Sequence, residues 1–291
     1  MRVTLGADVE FLFIDPRNQQ IVPAFNYLRN SGRLGTDANS SLAEVRPRPF
    51  EEPKKVVSEF QRIFKSYART KPEITKFQWR AGSYVGNYPI GGHLHYGFVF
   101  EKEDERQPDY RQIVHTLDVY LGSLVLLLED CVEAVNRRRS YGQLSGYRSQ
   151  NWGVEYRVLP SFIVNPSITE AVLTIGKVVV SEIANKNGGF VLTPSSLADA
   201  YERGSFRTKF VHADKEYFRK WIRCEVMKGL QTFSLYEKYE KVIVEFNKFL
   251  MKEKEFAFSQ IKDFKGNWGL EEVQIEEVAI RPAEEVWNEL Q

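Results

Sequence analysis

Apolar and polar residues alternate in four short stretches of this chain, and in each the polar positions carry ionisable groups. Leu5–Ile14 sets Asp8 and Glu10 between apolar neighbours, and Leu42–Pro47 does the same with Glu44 and Arg46. Gly91–Phe100 holds His93 and His95, and Gly153–Pro160 holds Glu155 and Arg157. A period of two marks a half-buried strand, and residues two apart share a face. Each stretch therefore predicts a strand with one face on an apolar core and two ionisable groups on the other. The paired glycines Gly91 and Gly92 permit a sharp turn or a close backbone approach just ahead of the histidines.

Elsewhere the period lengthens. After Glu51-Glu52-Pro53, the residues Val56, Val57, Phe60, Ile63, Phe64 and Tyr67 form the stripe of a helix lying on a sheet. Tyr110 to Arg138 reads as one long helix, apolar nearly all round at its centre, and Arg137, Arg138 and Arg139 read mainly as a solvated C-terminal cap. Pro166–Asn185 predicts a second long apolar helix, stopped by Lys186-Asn187-Gly188-Gly189. Gln20–Ala24 folds back on the first strand as a hairpin, and Phe77–Ala81 is a further strand. Asn30–Gly35 is a polar connection leading to Thr36–Asn39, and Ser140–Ser149 is a loop near the site. From about Phe190 the chain turns helical, with a basic run Arg203–Arg223 and an amphipathic helix Tyr236–Phe256. Val273–Gln291 reads as a strand and a short helix. The expected class is α+β: a curved, mainly antiparallel sheet covered by helices. Residues 1–189 form the catalytic domain, and residues 190–291 form a mostly helical region packed on it.

Composition narrows the function classes. Of 291 residues, 43% are hydrophobic and 27% charged, as in ordinary globular proteins. A net charge of +1 leaves no global attraction to nucleic acid or membrane, so nucleic-acid contact would need the local Arg203–Arg223 patch. Cys131 and Cys224 lie too far apart in sequence to mark a disulfide framework or a cysteine zinc site. The apolar run Leu121–Leu128 is too short to span a bilayer, and the N-terminus enters a strand without a signal-peptide pattern. Both observations point to the cytoplasm.

If one concave face presents all four pairs, it gathers Asp8, Glu10, Glu44, Glu155, His93, His95, Arg46 and Arg157. Buried charges on that scale are costly unless they pair or hold ions. Carboxylates with imidazole suit divalent metals, and arginines suit an anion such as phosphate. Plainer readings stand beside this one. The carboxylates could be outward-facing strand residues, Asp8 could bind the backbone, and Arg148 and Arg157 could be structural ion-pair partners. Arg46 reads as structural first, His115 and His212 as helix-surface residues, and Trp152 as packing.

The ordered set resembles the glutamine synthetase-like carboxylate–amine ligases, most closely the phage-type amidoligases and more distantly the glutamate–cysteine ligases. The matching features are an acidic pair, a single Glu, a Gly-rich turn into His-x-His, and Glu-x-Arg after an Arg-containing loop. They fall on Asp8/Glu10, Glu44, His93/His95 and Glu155/Arg157, with Tyr147-Arg148 in the loop. The resemblance covers about the first three-fifths of the chain. It implies an ATP-dependent ligase that joins a small-molecule or peptide carboxylate to an amine through an acyl phosphate. It also implies Mg²⁺ or Mn²⁺ held by Glu10, Glu44, His93 and Glu155 with Asp8, Arg157 and Arg148 on the phosphoryl group and carboxylate, and His95 on a metal or the nucleotide. The first strand is already the first catalytic strand, without the small β-domain of glutamine synthetase itself, which counts against its large ring and against ammonia as the amine.

A metal-dependent hydrolase or a cupin-like metalloprotein is the alternative. An amidohydrolase needs further strand histidines, and a cupin needs a Glu closer to the second His than Glu101 is to His95. A third reading is an inactive binding protein that contacts nucleic acid through Arg203–Arg223.

Overall fold

Strand β1 (Arg2–Ile14) is the axis of the sheet in a computed structural model that describes residues 1–36, 41–101, 103, 105–186 and 204–270. Its odd positions Val3, Leu5, Ala7, Val9, Phe11 and Phe13 are each at most 1% exposed, so one face is wholly apolar core. Its even positions Thr4, Gly6, Asp8 and Glu10 look the other way.

β1 pairs antiparallel with β4 (Ala43–Val45) on one side and β8 (Gly92–Val99) on the other. β3 (Leu34–Thr36) extends the sheet beyond β4, while β10 (Gly153–Tyr156) and then β9 (Tyr147–Gln150) extend it beyond β8. Among the described residues the order is β3-β4-β1-β8-β10-β9, without closure into a barrel. Near its C-terminal end β1 changes partners, taking β2 (Ile21–Val22) and β5 (Gln78–Arg80), as the predicted hairpin and strand require. β6 (Tyr84–Val85) and β7 (Tyr88–Pro89) make a separate two-stranded ribbon.

Helices cover the apolar face. α1 (Pro53–Thr70) begins with Pro53, which pre-sets the first helical turn, and buries Val56, Phe60, Ile63 and Phe64. The stretch predicted as one helix from Tyr110 is broken. α2 (Tyr110–Leu117) passes through a π turn at Asp118–Gly122 into α3 (Ser123–Leu126), and α4 (Cys131–Arg138) starts afresh. Two aspartates account for this. Asp118 is fully buried and accepts from Tyr156 Oη and Ser145 N, both at 2.8 Å, at the widened turn. Asp130 accepts from the amides of Val132 and Glu133 and so caps a new helix. Apolar periodicity does not register either event, because the run stays hydrophobic through both.

α5 (Pro166–Asn185) has the predicted span, capped by the Asn165 side chain on Ser167 N and buried over most of its length. It packs against α1, α2 and β1. α6 (Ser205–Val211), α7 (Lys215–Trp221), a π turn at Ile222–Val226, α8 (Met227–Gln231) and α9 (Tyr236–Lys252) follow. α9 stops short of the predicted Phe256. Phe206, Phe218, Ile243 and Phe246 join the same core as β1. Phe264 lies 5.3 Å from Phe11 between ring centres, and Trp268 lies 5.2 Å from Phe64. Asp37–Asn39, the helix stop at Asn187–Gly189, Arg203 and Val273–Gln291 lie outside the described residues. Among the described residues no helix is long and apolar enough to cross a membrane, and Cys131 and Cys224 are free thiols.

Of the three arginines at the end of α4, Arg139 is exposed as a solvated cap would be, but Arg137 and Arg138 are not. Arg138 is buried against Glu129. Arg137 is fully buried and donates to the carbonyls of Ile90 (2.9 Å), Val158 (2.8 Å) and Leu159 (2.6 Å). Those carbonyls precede β8 and follow β10, so one guanidinium ties together the two strands that carry His93 and Glu155. An aliphatic side chain there would leave three buried carbonyls unpaired. Arg137→Met should therefore lower unfolding free energy by about 3 kcal/mol or more in denaturant titration. A change near zero would show that the clamp does not hold the strands.

Candidate active site

Residues directly opposite each other in an antiparallel pair share a face, so the register builds the site. Glu10 stands opposite Glu44, Asp8 opposite His93, and His95 opposite both Gly6 and Glu155. Glu155 in turn faces Arg148. All of these lie on the side of the sheet away from the helices, and Arg157 follows β10 by one residue on the same side. The sequence placed Tyr147 and Arg148 in a loop. They are instead part of edge strand β9, where pairing with β10 sets Arg148 against Glu155.

Glu155 is the hub. It is 3% exposed, and its Oε1 lies 3.4 Å from His93 Nδ1 and 3.2 Å from Arg157 Nε. Its Oε2 lies 3.4 Å from Arg148 Nη1 and accepts from Gln150 Nε2 at 3.3 Å. Asp8 Oδ2 is 3.3 Å from His95 Nε2, and Glu10 Oε2 accepts from the Gly91 amide at 2.6 Å. Glu44 is paired with Arg46, which also donates to the Thr36 carbonyl at 2.9 Å. His115 is half-buried on α2 and His212 is exposed after α6.

Tyr141 was not foreseen. Its hydroxyl meets His93 Nε2 and accepts from Arg157 Nη2 at 3.3 Å. It sits in an irregular segment between α4 and β9, where no periodicity marks a direction, so only its place in the predicted loop pointed towards it.

Burial, followed by the Arg157 charge, pulls the His93 imidazole down to about 3, so it is neutral near pH 7. Burial and then the Glu10 charge push the Tyr141 phenol up to about 12, so it keeps its proton. Burial alone would raise Asp8, but the neighbouring His95 and His93 outweigh it and hold the carboxyl below its usual range.

Buried carboxylates and a neutral imidazole are the donor types that Mg²⁺ or Mn²⁺ takes. A Cβ on Gly91 would lie 2.9 Å from His93 Nε2 and 3.2 Å from Glu10 Oε2, so only glycine lets the backbone pass this close to both side chains. Among the described residues no three His, Cys, Asp or Glu side chains converge as a ligand set. The carboxylates are turned to arginines, His93 and the Gly91 amide instead. The donors match a divalent ion by type and share a face, but in this arrangement they do not form a ligand set.

Beside His95 is a cavity of about 340 Å³, whose lining includes Thr4, Gly6, Asp8, Pro47, Pro49 and Trp152. Trp152 is not packing as predicted. It is 45% exposed at this cavity, with its ring 5.1 Å from that of His95.

The chain matches the phage phiEco32-like COOH.NH2 ligase-type 2 family over residues 5–270. It belongs to that family. The protein is thus a carboxylate–amine ligase, and the match runs well past the strands that carried the resemblance, through the C-terminal helices. This sets aside the hydrolase and cupin alternatives.

Among solved structures, the ligase PafA in complex with the prokaryotic ubiquitin-like protein Pup is similar at 10% identity and a TM-score of 0.54, over 92% of this chain and 66% of that one. Plasmodium falciparum glutamine synthetase shares 11% identity over 87% of this chain and 72% of that one, with a TM-score of 0.48. A bifunctional glutathione synthetase from Pasteurella multocida shares 10% identity over 92% of this chain and 52% of that one, with a TM-score of 0.43. At such identity the PafA likeness speaks to fold alone. No curated protein matches the chain in sequence.

The neutral state of His93 makes a testable demand on the metal-free ligase. Its proton affinity is depressed to about 3 in the fold against 6.5 for the free side chain, so below that ordinary value the unfolded chain gains the proton first. The resulting stability is present above about pH 6.5 and is lost as pH falls towards the folded value. Between about pH 7 and 4, His93→Gln should lose roughly 1–3 kcal/mol less stability than wild type in denaturant melts. Parallel pH profiles would show that His93 is not held neutral.

Proposed function

We propose that this ligase uses ATP to activate a carboxylate and joins it to an amine through an acyl phosphate. Support comes from one observation: the register of β1, β4, β8 and β10 sets Glu10, Glu44, His93 and Glu155 on one face with Arg148 and Arg157. In the first step a carboxylate oxygen of the substrate attacks the γ-phosphorus, the bond to the bridging oxygen breaks, and ADP leaves. In the second the amine attacks the acyl carbon, inorganic phosphate departs, and the amine loses a proton to leave an amide. Such chemistry needs alignment and charge neutralisation more than a covalent protein group.

Glu10, Glu44, His93 and Glu155, with Asp8 beside them, would hold Mg²⁺ or Mn²⁺. The ion's contribution is to neutralise phosphate oxygens. Arg157 and Arg148 are the cations nearest Glu155, and once it turns to an ion their guanidinium donors can face the phosphoryl group and the substrate carboxylate. His95 opens towards the 340 Å³ cavity, where the Trp152 ring offers a stacking face to a nucleotide base. The acid and amine are small molecules or peptide groups.

The decisive assay supplies ATP, Mg²⁺ or Mn²⁺ and a panel of acids, with hydroxylamine as the amine. Hydroxamate and ADP should appear together for the right acid. Amide turnover without nucleotide, or no hydroxamate with any acid, would sink the reading and favour an inactive binding protein in the second case. With the right acid in hand, Arg157→Lys should lower kcat by about 10²-fold or more, because an ammonium lacks the planar, two-pronged donor geometry. Near-normal turnover would remove Arg157 from the phosphoryl site.

A further inference from the structure

We infer that the cleft on the outer face of α7 and the π turn after it is a second ligand site, for a small anion that carries several phosphate charges. It is separate from the polar sheet face and does not depend on what that face binds. Glu216, Arg219, Lys220, Arg223 and Cys224 fall at the spacing of one helix face. Phe218, Ile222 and Val226 take the opposite face and are buried in the core shared with β1. Lys254, two residues beyond α9, closes the other side. These six side chains line a cleft of about 600 Å³, the size of a small-molecule site.

Charge, pairing and position point to a multiply charged anion. Four of the six lining side chains are cations and one is a carboxylate, in a chain whose net charge is only +1. The positive charge is therefore concentrated here rather than spread over the surface. Among the described residues, none of these four cations forms an ion pair, whereas Arg46, Arg62, Arg138, Lys209 and Lys238 each do. Arg219 and Arg223 are four apart on the helix, a spacing at which like charges repel, and an anion between them relieves that repulsion. Arg219 is also held in place. Its Nη2 donates to the Lys254 carbonyl at 2.6 Å, which fixes one guanidinium where the two segments meet.

A nucleic-acid strand suits the cleft less well. Strand binding uses a track of cations with aromatic faces on which bases stack. No aromatic side chain lines this cleft, and Trp221 is half-buried and stacked on Tyr217 with 5.9 Å between ring centres.

Cys224 lines the cleft and is exposed, so its reactivity reports occupancy at this place. The other exposed thiol is removed as Cys131→Ser. Alkylation of Cys224 by iodoacetamide is then followed as inorganic tripolyphosphate is added, without metal and at an ionic strength held constant with sodium chloride. Tripolyphosphate should slow the reaction and reach a plateau, by covering the thiol and opposing its thiolate. Lys220→Gln with Arg223→Gln alters two exposed side chains, so the fold should hold, as a thermal melt would check. This pair should raise the half-protecting concentration about tenfold or more, since two charge-assisted contacts are lost. Arg157→Lys, on the far side of the sheet, should leave that concentration unchanged. Absent protection, protection without a plateau, or equal protection in the double variant would overturn the site. Loss of protection in Arg157→Lys would do the same, by assigning the effect to the ligase face. Protection by a short oligothymidylate at a lower phosphate concentration than tripolyphosphate needs would overturn the small-anion assignment in favour of nucleic acid. The hydroxamate assay is independent of every one of these outcomes.

Discussion

The pairing of β1 with β8 is the constraint on which the rest of the site depends. Asp8 stands opposite His93 because Val9 and Ala7 belong to the core, and a slip of one residue would exchange those roles. Two carboxylates would then enter an apolar interior, while Phe11 and Val9 would face solvent. The cost of that exchange, several buried charges against several lost apolar side chains, makes the register close to unique. Because β1 also pairs with β4 and β8 also pairs with β10, the same alternation extends to Glu44 and Glu155.

Gathering acidic groups in this way would be unfavourable without compensation, and the structure supplies it in three ways. Arg46, Arg148 and Arg157 lie against Glu44 and Glu155. The Gly91 amide donates to Glu10. His93 remains neutral, because a charged imidazole would be buried beside Arg157. Three arginines thus offset part of the charge of four carboxylates, and any ion would have to compete with those already in place. Arg137 works at a different level. It touches carbonyls on either side of the site and fixes the separation of two strands that carry its groups.

The chain after residue 204 is part of this support. Phe264 packs on Phe11 and Trp268 on Phe64, so the apolar face of β1 is finished by residues more than two hundred positions downstream. That agrees with a family match running to residue 270.

Much of this was legible in the sequence, for a physical reason. Strand alternation is a local property, so Asp8/Glu10, Glu44/Arg46, His93/His95 and Glu155/Arg157 could each be assigned to a polar face from their neighbours alone. α1 and α5 were equally plain, since long apolar helical runs with Pro53 and Pro166 at their starts are also local signals. Which polar faces meet is a different matter. The opposition of Glu10 to Glu44 and of His95 to Glu155 depends on hydrogen-bond registers between segments far apart in the chain. The break of the helix after Tyr110 follows from buried Asp118 accepting from Tyr156, and the burial of Arg137 from carbonyls more than twenty residues away in sequence. Tyr141 and Trp152 gain their places only through tertiary contact, because irregular segments carry no period and Trp152 reads as ordinary packing. Local patterning determined which residues face the site. The long-range pairing of the strands decided which of them touch.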